Sequence, residues 1–141
     1  VLGYRLVGRG CYDPSTDNQS PKGNIMSDIQ RLEPGALFSG AVIHGDTVYL
    51  SGKVASDSSL DVKGQTRDIL NQIDATLAAC GTSKSKLLTV MIWLTDMATW
   101  ADMNEVYTPW IDADNKPCRA CVGAPLAAPE FLVEIQCVAA K

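Results

Sequence analysis

The feature of this chain that most constrains its fold is an apolar run of eight residues, Leu87–Leu94. Its one polar residue is Thr89, and the run predicts a strand. Because successive side chains of a strand point to opposite faces, both faces of this strand are apolar, and we expect it to be buried on both. The run is far shorter than the roughly 20 residues of a membrane-spanning helix, so it predicts no membrane segment.

Local patterns before this run predict a hairpin and a helix. Residues 41–43 and 48–50 are apolar segments on either side of a turn at residues 44–46, the pattern of a β-hairpin. Residues 61–80 have apolar side chains that recur every four positions, which predicts a helix. Gly81 stands where a helix-terminating glycine belongs.

The second half of the chain predicts another helix and two strands. Residues 99–102 have the pattern of a capping box, so we expect a helix to begin there with its tryptophans, methionine and tyrosine on one face. Residues 118–122 and 132–140 are predicted as strands. The resulting order is β-β-α-β-α-β-β, an α+β class. Two helices cover only one face of the sheet, so we expect another subunit to cover the second face.

Composition and charge exclude several classes of protein. The 141 residues have the size of one domain, and 46% hydrophobic with 20% charged residues is typical of a globular chain. A net charge of −4 leaves no overall basic footprint, so we expect no nucleic-acid partner. No apolar core of a secretory signal follows the first arginine, so we expect a cytoplasmic location. We expect the domain to comprise residues 26–141, after an N-terminal extension of residues 1–25.

The five cysteines do not suggest a disulfide framework or a metal site. Cys118 and Cys121 form a single C-x-x-C pair, and His44 is the only histidine. In a strand, residues three apart point to opposite faces, so both thiols cannot easily reach one metal. We therefore expect reduced cysteines, no metal and no cofactor.

The candidate chemistry lies in the two C-terminal strands. Arg119 and Cys121 share one face of the first, and Glu134 points away from the apolar face of the second. If these strands pair as an antiparallel hairpin, Glu134 joins the Arg119 face. The arginine fork suits a carboxylate ligand, and the glutamate is able to accept a proton or hold a water. The alternative from these residues alone is a structural Arg119–Glu134 ion pair.

Over residues 27–141 the chain resembles the Rid family of YjgF-type, L-PSP endoribonuclease-like proteins. The resemblance rests on the order and spacing of these segments: Val48-Tyr49-Leu50-Ser51-Gly52, Gln65-Thr66, Asp96, Asn104, Tyr107, Trp110, Pro117-x-Arg119-x-Cys121 and Val133-Glu134-Ile135. It implies a chorismate-mutase-like fold with one mixed sheet and two helices on one face. It also implies a homotrimer with a cleft at each subunit interface.

The same resemblance implies a hydrolytic deaminase that converts reactive 2-imino or enamino acids to 2-keto acids and ammonia. By position, Arg119 would grip the substrate carboxylate and Glu134 would position or activate a water. Ser51, Gly52 and Cys121 would line the pocket, with Asn104 close by.

Two positions depart from the family pattern. Phe38 stands where active deaminases have a tyrosine, and Lys53 stands where glutamine is common. Phe38 is therefore a substrate-binding candidate without a hydroxyl group. The alternative function is a trimer that binds small carboxylates or a partner and has lost turnover. A third possibility, RNA cleavage, is disfavoured by the acidic charge and the absence of a histidine pair.

Overall fold

A computed structural model describes residues 28–141, so the predicted extension of residues 1–25 lies outside the described residues. Within this range the strands and helices are β1 (Ile29–Pro34), β2 (Ser39–His44), β3 (Thr47–Leu50), α1 (Val62–Ala79), β4 (Leu87–Leu94), α2 (Trp100–Trp110), β5 (Cys118–Gly123) and β6 (Val133–Ala140). The predicted order is confirmed, with β1 as an additional strand before the hairpin.

The hairpin and the first helix follow the local signals. Gly45 adopts a φ of 59° in the β2–β3 turn, a conformation that glycine tolerates without strain. Asp61 caps α1, since its carboxylate accepts a hydrogen bond from the Gly64 amide at 2.8 Å. Gly81 follows the end of α1 with a φ of 77°, as its position predicts.

The start of α2 is as predicted, but the capping box is wrong. A 3-10 turn at Met97–Thr99 precedes the helix and holds the Thr99 backbone at φ −86° and ψ 4°, away from the extended conformation of a side-chain cap. The Thr99 hydroxyl instead donates to the Asp96 carbonyl at 2.7 Å. Asp102 pairs with Lys63 at 3.2 Å rather than with the helix start.

The sheet has the strand order β1-β2-β3-β6-β4-β5. All neighbouring strands are antiparallel except β4 and β5, which are parallel. The antiparallel pairing of β5 and β6, on which a shared face for Arg119 and Glu134 depended, does not form because β4 lies between them. The β4–α2–β5 segment is a strand–helix–strand crossover, and such crossovers join parallel strands.

The core lies between the sheet and the two helices. In β4, Val90, Ile92 and Leu94 are buried on this side. The alternate residues Met91 and Trp93 are only half-buried, so burial of β4 on both faces is incomplete within one chain. We call this second side of the sheet the outer face; its larger apolar residues include Val42, Tyr49, Met91, Trp93, Val122 and Val138.

Candidate active site

Arg119 lies on the edge strand β5 and is held by α2. Its guanidinium carbon is 4.8 Å from the centre of the Tyr107 ring, and Nη1 donates to Asn104 Oδ1 at 2.7 Å. Asn104 and Tyr107 are three residues apart on α2 and therefore share a helix face. Asn104 Nδ2 donates to the Trp100 carbonyl at 2.8 Å, which directs Oδ1 toward the arginine. Asn104 was predicted to lie near the pocket, and its side chain contacts Arg119; its role in binding substrate stays a prediction.

The cleft beside Arg119 is positively charged. It has a volume of about 240 Å³, and its lining residues are Asn104, Tyr107, Thr108, Ile111, Lys116, Pro117 and Arg119. None of the salt bridges within residues 28–141 involves Arg119. Its partners are the neutral Asn104 amide and the Tyr107 ring, so the cleft contains a cation that has no carboxylate partner among the described residues.

Two further groups near Arg119 have raised pKa values. Burial raises the pKa of the Tyr107 phenol, and the Arg119 charge opposes this rise only partly. Burial likewise raises the pKa of the Cys121 thiol, again against the effect of Arg119. A protonated thiol is a poor nucleophile, so Cys121 is suited to lining the site rather than to covalent chemistry.

Cys121 and Cys118 point to opposite faces of the sheet, as predicted. Cys121 is paired with Ile92 and packs against the core, whereas Cys118 is paired with Thr89 and is exposed. Within residues 28–141, no group of three or more His, Cys, Asp or Glu side chains has an arrangement suited to a metal ion.

Glu134 lies on the other side of the sheet from Arg119, so the prediction of a shared face is wrong. Arg119 pairs with Val90, which pairs with Cys137 on β6. Glu134 is three positions from Cys137, and an odd separation along a strand reverses the face. Glu134 accordingly pairs with Trp93 on the outer face. This placement also rules out the Arg119–Glu134 ion pair within one chain.

Glu134 is packed against the segment that follows β3. A Cβ atom at Gly52 would collide with Glu134 Oε1, so glycine leaves room for the carboxylate in this position. The next residue, Lys53, exchanges backbone hydrogen bonds with Ile135 at 2.9 and 3.0 Å. Ser51 is fixed by its amide to the Gly40 carbonyl at 3.1 Å and by its hydroxyl to the Ser39 carbonyl at 2.5 Å.

Phe38 lies in the loop before β2, near this segment. The loop is closed by a hydrogen bond of 2.8 Å from the Gly35 amide to the Phe38 carbonyl, and the Phe38 side chain is 68% exposed. A cavity of about 350 Å³ has the lining residues Glu33, Gly35, Ala36, Leu37, Phe38, Gly40 and Lys53.

The predicted site residues therefore form two groups in one chain. We call Arg119, Asn104 and Cys121 the arginine group, which lies at β5 and α2. We call Phe38, Ser51, Gly52 and Glu134 the glutamate group, which lies around the start of β2, the end of β3 and β6. Sequence reasoning did not assign Tyr107 or Lys116 to the cleft. The three-residue spacing between Asn104 and Tyr107 could have indicated Tyr107, because it puts both residues on one face of α2.

Comparison with known proteins identifies the family to which this chain belongs. The family model described as Endoribonuclease L-PSP matches residues 28–141. A structure of a YjgF family member from Neisseria meningitidis superposes with a TM-score of 0.80 at 40% identity, covering 82% of this chain and 97% of that one. The chain belongs to the YjgF/L-PSP family.

Relatives of this chain include a bacterial and a fungal protein. The RutC family protein YoaB of Escherichia coli is 39% identical over 112 residues, which are 79% of this chain and 97% of that protein. Protein mmf2, mitochondrial, of Schizosaccharomyces pombe is 35% identical over 124 residues, 83% of this chain and 98% of that protein. In the part of this chain that the structure describes, no helix has the length and apolar character needed to cross a bilayer.

Proposed function

We propose that this YjgF/L-PSP family chain hydrolyses reactive 2-imino or enamino acids to 2-keto acids and ammonia, in clefts between the subunits of a homotrimer. The observation that carries the proposal is the state of Arg119. It is a cation held by neutral partners in a cleft where the described lining residues include no acidic side chain.

Arg119 is suited to bind the substrate carboxylate. Its planar guanidinium presents five N–H donors, of which the Asn104 bond uses one. The Tyr107 ring packs against the guanidinium and limits its movement without removing its charge. A carboxylate that enters the cleft would supply the missing negative charge and accept two parallel hydrogen bonds.

A second subunit would bring Glu134 to Arg119. The two residues lie on opposite faces of the sheet in one chain, so one chain alone does not form the complete site. The outer face has exposed apolar residues, including Tyr49 at 46% and Val122 at 43% exposure. Burial of this face against the next copy would remove apolar surface from water and join the glutamate group of one subunit to the arginine group of its neighbour.

The reaction needs neither a metal nor a covalent nucleophile, because a protonated imine is already electrophilic. Arg119 holds the substrate carboxylate, and Glu134 accepts a proton from a water that adds to the imine carbon. In the resulting carbinolamine, Glu134 returns this proton to the nitrogen, and the C–N bond breaks as the hydroxyl group gives its proton to Glu134. Ammonia leaves, the carbon–oxygen double bond forms, and the product is the 2-keto acid.

One observation favours the alternative function, a trimer that binds carboxylates without turnover. Phe38 has no hydroxyl group with which to hydrogen-bond a ligand, and it lies largely exposed at the edge of the glutamate group.

A coupled assay separates the two functions. An amino-acid oxidase would generate imines from several amino acids, and the rate of 2-keto acid release would be measured with the wild-type protein, with Glu134→Gln and without protein. We expect faster release with the wild type only. Equal rates in all three samples, together with Arg119-dependent carboxylate binding, would establish the alternative instead.

A further inference from the structure

Lys53 places a second cation next to the glutamate group. Its side chain is only 16% exposed, and its ammonium lies 3.8 Å from Glu33 Oε2. This carboxylate is the one ion-pair partner that Lys53 has among the described residues. The Glu33 side chain is 68% exposed, and such a long, solvated ion pair is weak. Lys53 thus has a largely buried stem and a loosely held charge.

Glu33 reaches Lys53 from an unusual backbone conformation. Its φ is 48°, the left-handed region that residues other than glycine rarely adopt. Its carboxylate lies over Gly40, where an added Cβ atom would collide with Glu33 Oε2. Strained positions of this kind occur often at ligand sites and switch regions. The local structure therefore holds the Glu33 carboxylate in front of Lys53, where the carboxylate of a ligand could replace it.

The cavity in front of Lys53 adjoins the proposed catalytic residues. Phe38 and Gly40 line it together with Lys53. The Gly40 carbonyl accepts the Ser51 amide at 3.1 Å, and the Lys53 backbone is paired with Ile135, the neighbour of Glu134. Lys53 and Glu33 are the two charged residues in its lining. The cavity is therefore an extension of the glutamate group with one cation at its wall.

We infer that Lys53 determines specificity by binding the second carboxylate of a dicarboxylic substrate. The substrate class is then a 2-imino acid whose side chain ends in a carboxylate. This inference rests on the proposed function, in which Arg119 of a neighbouring subunit binds the first carboxylate. The reacting carbon lies between the two cations, on the Glu134 side. In the absence of ligand, Glu33 occupies the position that the second carboxylate takes, and it moves to solvent when substrate binds.

Calorimetric titration of the assembled protein tests the inference. The probes are 2-oxoglutarate, with two carboxylates, and 2-oxobutyrate, with one. We expect wild-type protein to bind the dicarboxylate about tenfold more tightly, the effect of one added charge-assisted hydrogen bond. Lys53→Gln should bring the ratio of the two dissociation constants close to one, and Lys53→Arg should retain the preference. Glu33→Gln should increase it, because the competing carboxylate is removed.

The matched control is Lys63→Gln, which removes a lysine paired with Asp102 and Glu105 on the helix layer. It should leave the ratio unchanged. A wild-type ratio of dissociation constants near one, or a preference for the dicarboxylate that survives Lys53→Gln, would overturn the inference. If both probes still bind in an Arg119-dependent way, the proposed function stays in place. Failure of both probes to bind, or binding that Arg119→Ala does not weaken, would overturn the proposed function and this inference with it.

Discussion

The arginine group and the glutamate group present cations in two different ways. Arg119 is held by a neutral amide and an aromatic ring, so among the described residues no carboxylate competes with a ligand for its charge. Lys53, beside the glutamate group, faces a carboxylate at 3.8 Å that belongs to an exposed side chain. The first arrangement is suited to a carboxylate that every substrate has. The second is suited to a group that only some ligands have, because binding requires exchange with Glu33.

The largest effect is expected from separating the two groups. Val122→Glu places a charge on the outer face, where the residue is 43% exposed in the single chain. We expect the trimer to dissociate and turnover to disappear while each subunit stays folded. Light scattering should change from three times 15.1 kDa to a single subunit.

The control for this experiment is Leu60→Glu, at a residue that is 38% exposed and outside the outer face. It should leave the trimer intact. A wild-type protein that is already a monomer would contradict the proposed covering of the outer face. A wild-type dimer would contradict the proposed trimer, but it would still agree with burial of the outer face against another copy of the chain.

Removal of the Arg119 charge should have the next largest effect. Arg119→Ala should weaken binding of small carboxylates about ten- to a hundredfold, since a charge-assisted hydrogen bond contributes roughly 1.5–3 kcal/mol. Arg119→Lys should restore little, because lysine lacks the planar fork. Calorimetric titration with benzoate or a 2-keto acid measures both. If Arg119→Ala binds as tightly as the wild type, Arg119 is not the clamp.

A smaller effect on stability is expected at the glutamate group. Gly52→Ala brings the new Cβ atom against Glu134 Oε1, the end of a flexible side chain, so Glu134 should turn aside and the free energy of unfolding should fall by less than the roughly 1–3 kcal/mol of overpacking in a core. In the background of Glu134→Ala the same substitution should cost much less. Thermal unfolding of the four proteins in this double-mutant cycle measures the coupling. Additive effects would show that Gly52 and Glu134 do not constrain each other.

The smallest effect is expected at Asn104 and sharpens the contrast between the two cations. Asn104→Ala removes one neutral hydrogen bond, so carboxylate affinity should fall by a factor of about ten at most. Asn104→Asp places a carboxylate beside Arg119 and makes this cation resemble Lys53. Its affinity for small carboxylates should fall further than that of Asn104→Ala. The opposite order would show that the neutrality of residue 104 is unimportant.

The agreement between sequence and structure was best for elements that depend on local patterns. The strand β4 was predicted with the bounds that the structure has, and α1 lies within one residue of its predicted ends at both termini. These predictions succeeded because apolar periodicity and terminal residues such as Asp61 and Gly81 act within a few positions of the chain. The capping box at Thr99 failed because an unforeseen 3-10 turn changed the backbone before the helix.

The arrangement of the candidate site could not be predicted from local sequence patterns. The sequence by itself predicted the strands and helices other than β1 and, by resemblance, the residues of interest, and it led us to expect a partner on the outer face. Only the tertiary structure decided that β4 lies between β5 and β6 and therefore puts Glu134 and Arg119 on opposite faces. Contacts between distant segments determine which strands are neighbours. Glu134 is three positions from Cys137, which is aligned with Arg119, and this odd separation turns the Glu134 side chain to the other face. The local sequence pattern does not show this alignment.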